Sequence, residues 1–268
     1  MKNYHTHTYR CRHAKGSDED YVKEAIRQGY STLGFSDHTC WRYKSAYQPY
    51  MRMMENQFDD YQNSILNLKE KYQNQIEIQC GLEAEYFPEY MEWLLDFSID
   101  KNIEYLIFGN HFHLTDETGV YFGECSSEYI QPYIDTVKEG LKTGMYSCLA
   151  HPELIFINGI DWTPQLEEDY YEICKLAKKM DIPLEFNVYG FKKTRQFGFT
   201  TYPQPRFWEI ASQLHNKAII GMDAHSPKGL DKDLFNKAGD ILSHYDVEIV
   251  DQLKRVDYKE LKKNKMHG

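Results

Sequence analysis

The chain has 268 residues, with 41 acidic against 31 basic side chains and a formal net charge of −10. A duplex-binding protein normally shows a basic face, so that balance argues against one and no long nucleic acid is expected as a partner. No run of ~18 apolar residues occurs and the opening "MKNYHTH" lacks the apolar stretch of a secretory signal, so no membrane partner is expected and the chain reads as cytoplasmic.

Short apolar runs alternate with helical segments along the chain. The first strand candidate is "KNYHT" (2–6). A Ser/Asp start, periodic Val22, Ala25 and Ile26, and a Gly29 stop frame a helix over 17–29. The strand candidate "TLGFSD" (32–37) follows, then a polar-aromatic segment from about 49 to 72. Strands are expected at "IEIQCGLE" (76–83), "YLIFGN" (105–110) and "YSCLA" (146–150), with a helix at 126–144 between the last two. A helix at 163–180 leads to the strand "IPLEFNV" (182–188), and a helix at 205–217 leads to "AIIGMDA" (218–224). A further helix at 229–245 and a basic tail, "KELKKNKMHG", that frays complete the reading. Seven such strand–helix units imply a parallel sheet with right-handed crossovers. The expected fold class is α/β, a single-domain barrel, with a doubly wound open sheet as the alternative. The six cysteines are scattered and form no C-x-x-C pair, which fits reduced thiols.

The polar residues collect at one end of these strands. "YHTH" ends the first, "SDH" the second, "GLEAE" the third, "GNHFH" the fourth, "AHPE" the fifth and "MDAH" the seventh. In a parallel barrel these ends converge on one mouth. His5 and His7 are two apart, so an extended strand points both to one face, and Asp223 and His225 repeat that spacing. Neutral imidazole and carboxylate suit zinc, iron or manganese. Nine residues are candidate ligands: His5, His7, His13, His38, Glu83, His111, His151, Asp223 and His225. One catalytic zinc needs only about three protein ligands, so nine fit two or three ions that share a carboxylate.

Other side chains carry more than one reading. Asp37 either orients a ligand imidazole or starts the next loop. His113 can be a ligand, a substrate contact or a supporting group. Cys11 sits among the ligand candidates but reads as a plain thiol, because the set is otherwise nitrogen and oxygen. His215, His244 and His267 read as surface or hydrogen-bonded core residues. Arg10, Arg12, Lys15, Arg42, Lys44, Lys192, Lys193 and Arg195 lie near the same loops. Ordinary solvated charge accounts for most of them. A cationic ring around a metal mouth would also suit an anionic substrate, with Arg195 best placed to hold a phosphate bidentately.

The ordered set "HTH", His13, "SDH", "GLEAE", "GNH", "AHPE" and "MDAH" resembles the polymerase-and-histidinol-phosphatase (PHP) superfamily, from His5 to His225. In length it looks most like that superfamily's stand-alone histidinol-phosphate phosphatases. The resemblance implies a distorted (β/α)7 barrel and three divalent transition-metal ions (Mn, Zn or Fe). It assigns His5, His7, Glu83 and Asp223 to the first ion. Glu83 would bridge to a second, also held by His111 and His151, and His13, His38 and His225 would hold the third. The activity implied is hydrolysis of a small phosphate monoester, L-histidinol phosphate, by a hydroxide shared between ions. Asp37, His113 and Arg195 are candidate catalytic groups. Arg195, Arg42, Glu85 and Glu153 are candidate substrate contacts; Asp116 and Glu117 could pair with the substrate amine, and Phe112, Tyr121 or Phe191 could stack on its ring. Other readings are a PHP phosphoesterase acting on nucleotides, oligonucleotides or phosphotyrosine, a metal-dependent amide hydrolase, and a non-catalytic metal-binding protein.

Overall fold

The polar pair Ser17 and Asp20 starts the first helix. Ser17 Oγ accepts the Asp20 N–H at 3.2 Å, and the Asp20 carboxylate accepts the Ser17 N–H at 2.9 Å, so two orphan donors are met reciprocally. The resulting α1 (Asp18–Gln28) ends at Gly29 in the left-handed conformation. The computed structural model describes residues 1–117 and 119–267, apart from the side chains of residues 195–197, 266 and 267.

Two parallel sheets form the framework. β1 (Lys2–Asn3), β2 (Thr32–Phe35) and β3 (Glu77–Cys80) make the first. β4 (Leu82–Ala84), β5 (Leu106–Gly109), β6 (Cys148–Ala150), β7 (Leu184–Asn187), β8 (Lys217–Gly221) and β9 (Glu248–Ile249) make the second. Isolated bridges join the sheets at both seams. Thr6 pairs with Ala224 beyond β1 and β8, and His38 pairs with Glu83 beyond β2 and within β4. The His7 N–H donates to the Ala224 carbonyl at 3.0 Å, and the Thr39 N–H to the Glu83 carbonyl at 2.8 Å. The strands therefore follow one another around a distorted barrel, and both seams lie beside candidate ligands.

The run expected as one strand over 76–83 splits at Gly81 into β3 and β4. Its halves pair with different neighbours, and the Tyr61 hydroxyl takes the freed Gly81 carbonyl at 2.8 Å. Similarly, the first strand is regular only over Lys2–Asn3, and His5 and His7 lie beyond it.

The remaining helices are α2 (Phe58–Lys71), α3 (Met91–Asp100), α4 (Ile130–Lys142), α5 (Pro164–Lys179), α6 (Val188–Phe197), α7 (Pro205–Gln213), α8 (Lys232–Leu242) and α9 (Tyr258–His267). α3 has no counterpart among the named helices, because its apolar Trp93, Leu94, Leu95, Phe97 and Ile99 are too nearly continuous to mark one helical stripe. α6 occupies a stretch given no element of its own, and α9 replaces the tail expected to fray. Tyr258 is buried and Lys262 pairs with Asp96 of α3, which anchors the C-terminal helix. No described helix is long and apolar enough to cross a membrane.

A large apolar cluster fills the space between the sheets and the helices. A smaller one, of Tyr4, Tyr105, Ile107, Cys148, Ala150 and Ile219, borders the same small void as His5 and Glu185. The Tyr105 hydroxyl donates to the carbonyls of Tyr4 at 2.8 Å and Phe35 at 3.0 Å. Burying each Ile contributes ~1.5–3 kcal/mol, and this plug gives the polar rim a dry, rigid floor.

Candidate metal centre

All nine candidate ligands converge at the C-terminal rim. The tightest group surrounds the end of β1. His5 Nε2 and His7 Nε2 are 3.3 Å apart. Asp223 Oδ1 lies 3.5 Å from the first and 3.1 Å from the second. Glu83 reaches both, at 3.5 Å in each case.

Glu83 Oε1 also faces the next two strands, 3.3 Å from His111 Nε2 and 2.9 Å from His151 Nε2. On the other side, His13 Nε2 and His225 Nε2 approach to 3.0 Å, while the His7 ring stacks on His225 at 4.0 Å and lies 4.5 Å from His38. Glu83 thus stands between the groups. Close backbone approach makes room for it: a Cβ on Gly109 would fall 2.1 Å from Glu83 Oε1.

The donor set fits cations. His38 Nδ1 lies 3.1 Å from Glu83 Oε2 and Asp223 Oδ1 3.1 Å from His7 Nε2, but these buried atoms and His38 Nε2 make no aligned hydrogen bond, and all three residues line one cavity. A buried polar atom normally has a partner; an ion in the cavity would supply it. Burial opposes ionisation of Glu83, yet the surrounding imidazoles of His111, His5 and His38 hold its carboxyl well below the usual range. Burial also opposes a charged His111, but Glu83 and Glu85 outweigh it and raise the imidazole to about 9. Two ligands sit on strained backbone. His151 has φ 30° and Asp223 φ 47°, left-handed values that cost non-glycine residues ~1–3 kcal/mol each.

Several ligand rings are oriented from behind. His13 Nδ1 faces the Cys11 carbonyl at 2.8 Å and His225 Nδ1 the Asp223 carbonyl at 3.0 Å. His111 Nδ1 meets Glu85 at 3.0 Å and His5 Nδ1 meets Glu185 at 2.7 Å. Asp37 is fully buried and does not line the cavity. It accepts the Thr8 and His38 N–H groups at 3.2 and 2.8 Å and lies 3.5 Å from His7 Nδ1. Cys11 is buried, and its sulfur lies within 4.8 Å of ligand atoms of His13 and His225.

The other sequence candidates are placed less centrally. Glu85 is fully buried and committed to Trp41, Arg52 and His111. Glu153 is buried too, and accepts the Gln204 N–H at 3.1 Å. Arg42 pairs with Glu55 on the surface. Asp116 is taken by Tyr43 and Arg52, and Glu117 by Ser45. The His113 ring packs near Phe122 and Tyr129, outside the cavity lining. Phe112 is buried, Phe191 packs near Phe186, and Tyr121 does line the cavity. Arg195 lies on α6, but its side chain is outside the described residues.

The cavity holds about 280 Å³ above the ligands, walled by Tyr50, Met51, Tyr121, Leu154, Ile157, Tyr189 and Tyr202. Lys193 is its one cation among the described residues. Its ammonium lies 5.0 Å from the Tyr189 ring centre.

The PHP domain model matches residues 3–188, more than two thirds of the chain. The chain belongs to the PHP domain family. The chain is 27% identical over 249 residues to the histidinol-phosphatase of Bacillus subtilis, covering 82% of this chain and 92% of that one. It is 24% identical over 247 residues to a protein of Schizosaccharomyces pombe named "Probable histidinol-phosphatase", covering 83% and 80%. The crystal structure of a Lactococcus lactis histidinol phosphate phosphatase, complexed with zinc, L-histidinol and phosphate, shares its fold. That likeness has a TM-score of 0.71 and 16% identity, over 95% of this chain and 98% of the other.

Sequence reasoning missed three side chains that shape this PHP domain's site: Glu185, Asn187 and Arg52. Each lies inside a run whose local pattern gives no functional signal, and each acquires its partners only through the fold.

Proposed function

We propose that this PHP domain is a metal-dependent phosphatase that hydrolyses L-histidinol phosphate to L-histidinol and phosphate. The observation that carries the reading is the convergence of seven imidazoles and two carboxylates, several with unmet lone pairs, beneath a cavity holding one lysine. The name of the Bacillus relative, and the zinc, histidinol and phosphate of the Lactococcus structure, support it.

His5, His7, Glu83 and Asp223 would hold one ion, Glu83, His111 and His151 a second, and His13, His38 and His225 a third. Bound divalent ions supply a water whose pKa falls from ~16 towards ~7 and offset charge on the phosphoryl oxygens. The chain's own residues do the rest. Lys193 draws the phosphate to the rim. Tyr50, Tyr121, Tyr189 and Tyr202 wall off solvent and offer faces to an aromatic ring. Glu85 orients His111 from behind through a 3.0 Å hydrogen bond, and the Asp37 carboxylate stands 3.5 Å behind His7 Nδ1. Histidinol phosphate suits the cavity because it combines a dianion with a small aromatic ring.

Phosphate release from histidinol phosphate, a mononucleotide and phosphotyrosine tests the reading. The expected result is histidinol phosphate hydrolysed fastest by kcat/KM. Equal rates for all would overturn the substrate assignment. His151→Ala and Asp223→Ala should stay folded, lose bound metal and lose activity by more than about 10²-fold, at least the loss typical of removing one electrostatic donor. Activity retained in either would overturn the mechanism.

A further inference from the structure

Among the strands that reach the polar rim, β7 alone brings no candidate ligand. It brings Glu185 and Asn187 instead, two apart and so on one face of the strand, both buried. We propose that this pair are positioning residues that hold ligands from three other strands in place for the ions. The inference rests on the metal-centre reading above.

Glu185 reaches two ligands. Its Oε1 lies 2.7 Å from His5 Nδ1. An ionised carboxylate only accepts, so His5 Nδ1 carries the hydrogen and Nε2 keeps its lone pair. That Nε2 is the atom facing Glu83 and Asp223. Its Oε2 accepts the His151 backbone N–H at 3.0 Å, at a residue in the left-handed region. A Cβ on Gly221 would fall 1.6 Å from Glu185 Oε1, so the neighbouring strand is shaped around this carboxylate.

Asn187 extends the support. Its side-chain NH₂ donates to Glu185 Oε2 at 2.9 Å and to Asp223 Oδ2 at 3.2 Å, leaving Asp223 Oδ1 to face His5 and His7. Asp223 is the second ligand on left-handed backbone. Thus each strained ligand is tied to β7, one through its N–H and one through its carboxylate. The Asn187 Oδ1 accepts the Gly190 N–H at 2.9 Å and so caps α6, the helix that carries Lys193. One amide links the ion-holding carboxylate to the helix at the cavity wall.

The test uses the full chain stripped of metal and titrated with Co(II), whose visible absorption reports coordination. Glu185→Gln keeps the shape but turns an NH₂ towards one of two donors, the His5 Nδ1–H or the His151 N–H. The expected result is a wild-type far-UV spectrum, Co(II) binding weakened about 10- to 100-fold at one site, and an altered absorption band. Wild-type affinity and band would overturn the proposal, even with a lowered melting temperature, since that pattern marks packing alone. If Glu185→Gln does not fold, Asn187→Ala is read the same way, and wild-type Co(II) affinity in it overturns the proposal. A wild-type protein that binds no Co(II) would overturn the metal-centre reading itself, an outcome distinct from either variant's.

Discussion

His13 and His225 stand 212 positions apart in the chain, and their Nε2 atoms lie 3.0 Å from each other. Each ring directs its Nδ1 at a backbone carbonyl, at 2.8 Å for His13 and 3.0 Å for His225. A carbonyl accepts only, so in the neutral rings both Nδ1 atoms carry the hydrogen and both Nε2 atoms present lone pairs. Two lone pairs at that distance repel unless a proton or a cation lies between them. His13→Ala or His225→Ala should therefore lose one ion per chain and keep the rest. Elemental analysis of the purified variants measures this, and an unchanged metal count would remove these two residues from the ligand set.

The site was legible in the sequence where function and strand ends coincide. "SDH" and "MDAH" each terminate an apolar run and "HTH" ends the first strand candidate, so their convergence follows from parallel topology. Glu185 was hidden because it sits inside "LEFN", where a glutamate between apolar residues of a short strand gives no signal. Its partners His5 and His151 come from other strands. Arg52 was hidden for a related reason. It lies in the irregular segment before α2, and its charge is met by Glu85 and Asp116 only once the chain folds. The barrel order followed from alternating strands and helices, but the split at Gly81 did not, because pairing with two different neighbours is a tertiary event.

Arg52 is fully buried and bonds both oxygens of Glu85 and one of Asp116, each at 2.8–2.9 Å. Glu85 in turn orients His111. Burial disfavours a charged Glu85, but Arg52 and His111 outweigh it and hold the carboxyl far below its usual range. Arg52→Met would leave buried Asp116 without a cation and Glu85 with the His111 imidazole alone. Breaking such a pair costs ~3–5 kcal/mol. Urea unfolding of the metal-free protein should show a loss of that order. A change within ~0.5 kcal/mol would mean that the carboxylates find other partners.

Glu153 is buried without a cation, and desolvation pushes its carboxyl up to about 8. The fold therefore holds a proton that the unfolded chain releases near the ordinary glutamate range of ~4.3. Stability falls with pH wherever the native state binds more protons. Glu153 thus contributes fully below ~4.3, and its contribution is lost as pH rises through that range to about 8. The slope is at most ~1.4 kcal/mol per pH unit for one proton. Glu153→Gln keeps an acceptor for the Gln204 N–H and cannot ionise. Metal-free protein unfolded in urea at pH 6 and pH 8 should lose stability more steeply with Glu153 than with Gln. Parallel curves would show that the native carboxyl is already ionised.

Lys193 is the remaining case, and it separates substrate binding from metal binding. Its ammonium sits on the cavity wall over Tyr189, and the Tyr189 ring in turn lies 5.2 Å from His225, so the charge is carried close to the ligand cluster. Among the described residues no carboxylate shares the wall with it except the ligands Glu83 and Asp223, which the ions would neutralise. A hydrogen bond from a charged donor to phosphate is worth ~1.5–3 kcal/mol, or about 10- to 100-fold. Lys193→Ala should lower kcat/KM for histidinol phosphate by that factor while leaving metal content unchanged. Lys193→Arg should recover part of the loss, because it restores charge with a different reach. Inhibition by inorganic phosphate should weaken in parallel, since phosphate alone engages the same ammonium. If phosphate inhibits Lys193→Ala as tightly as the wild type, the anion is held by the metal centre without this residue.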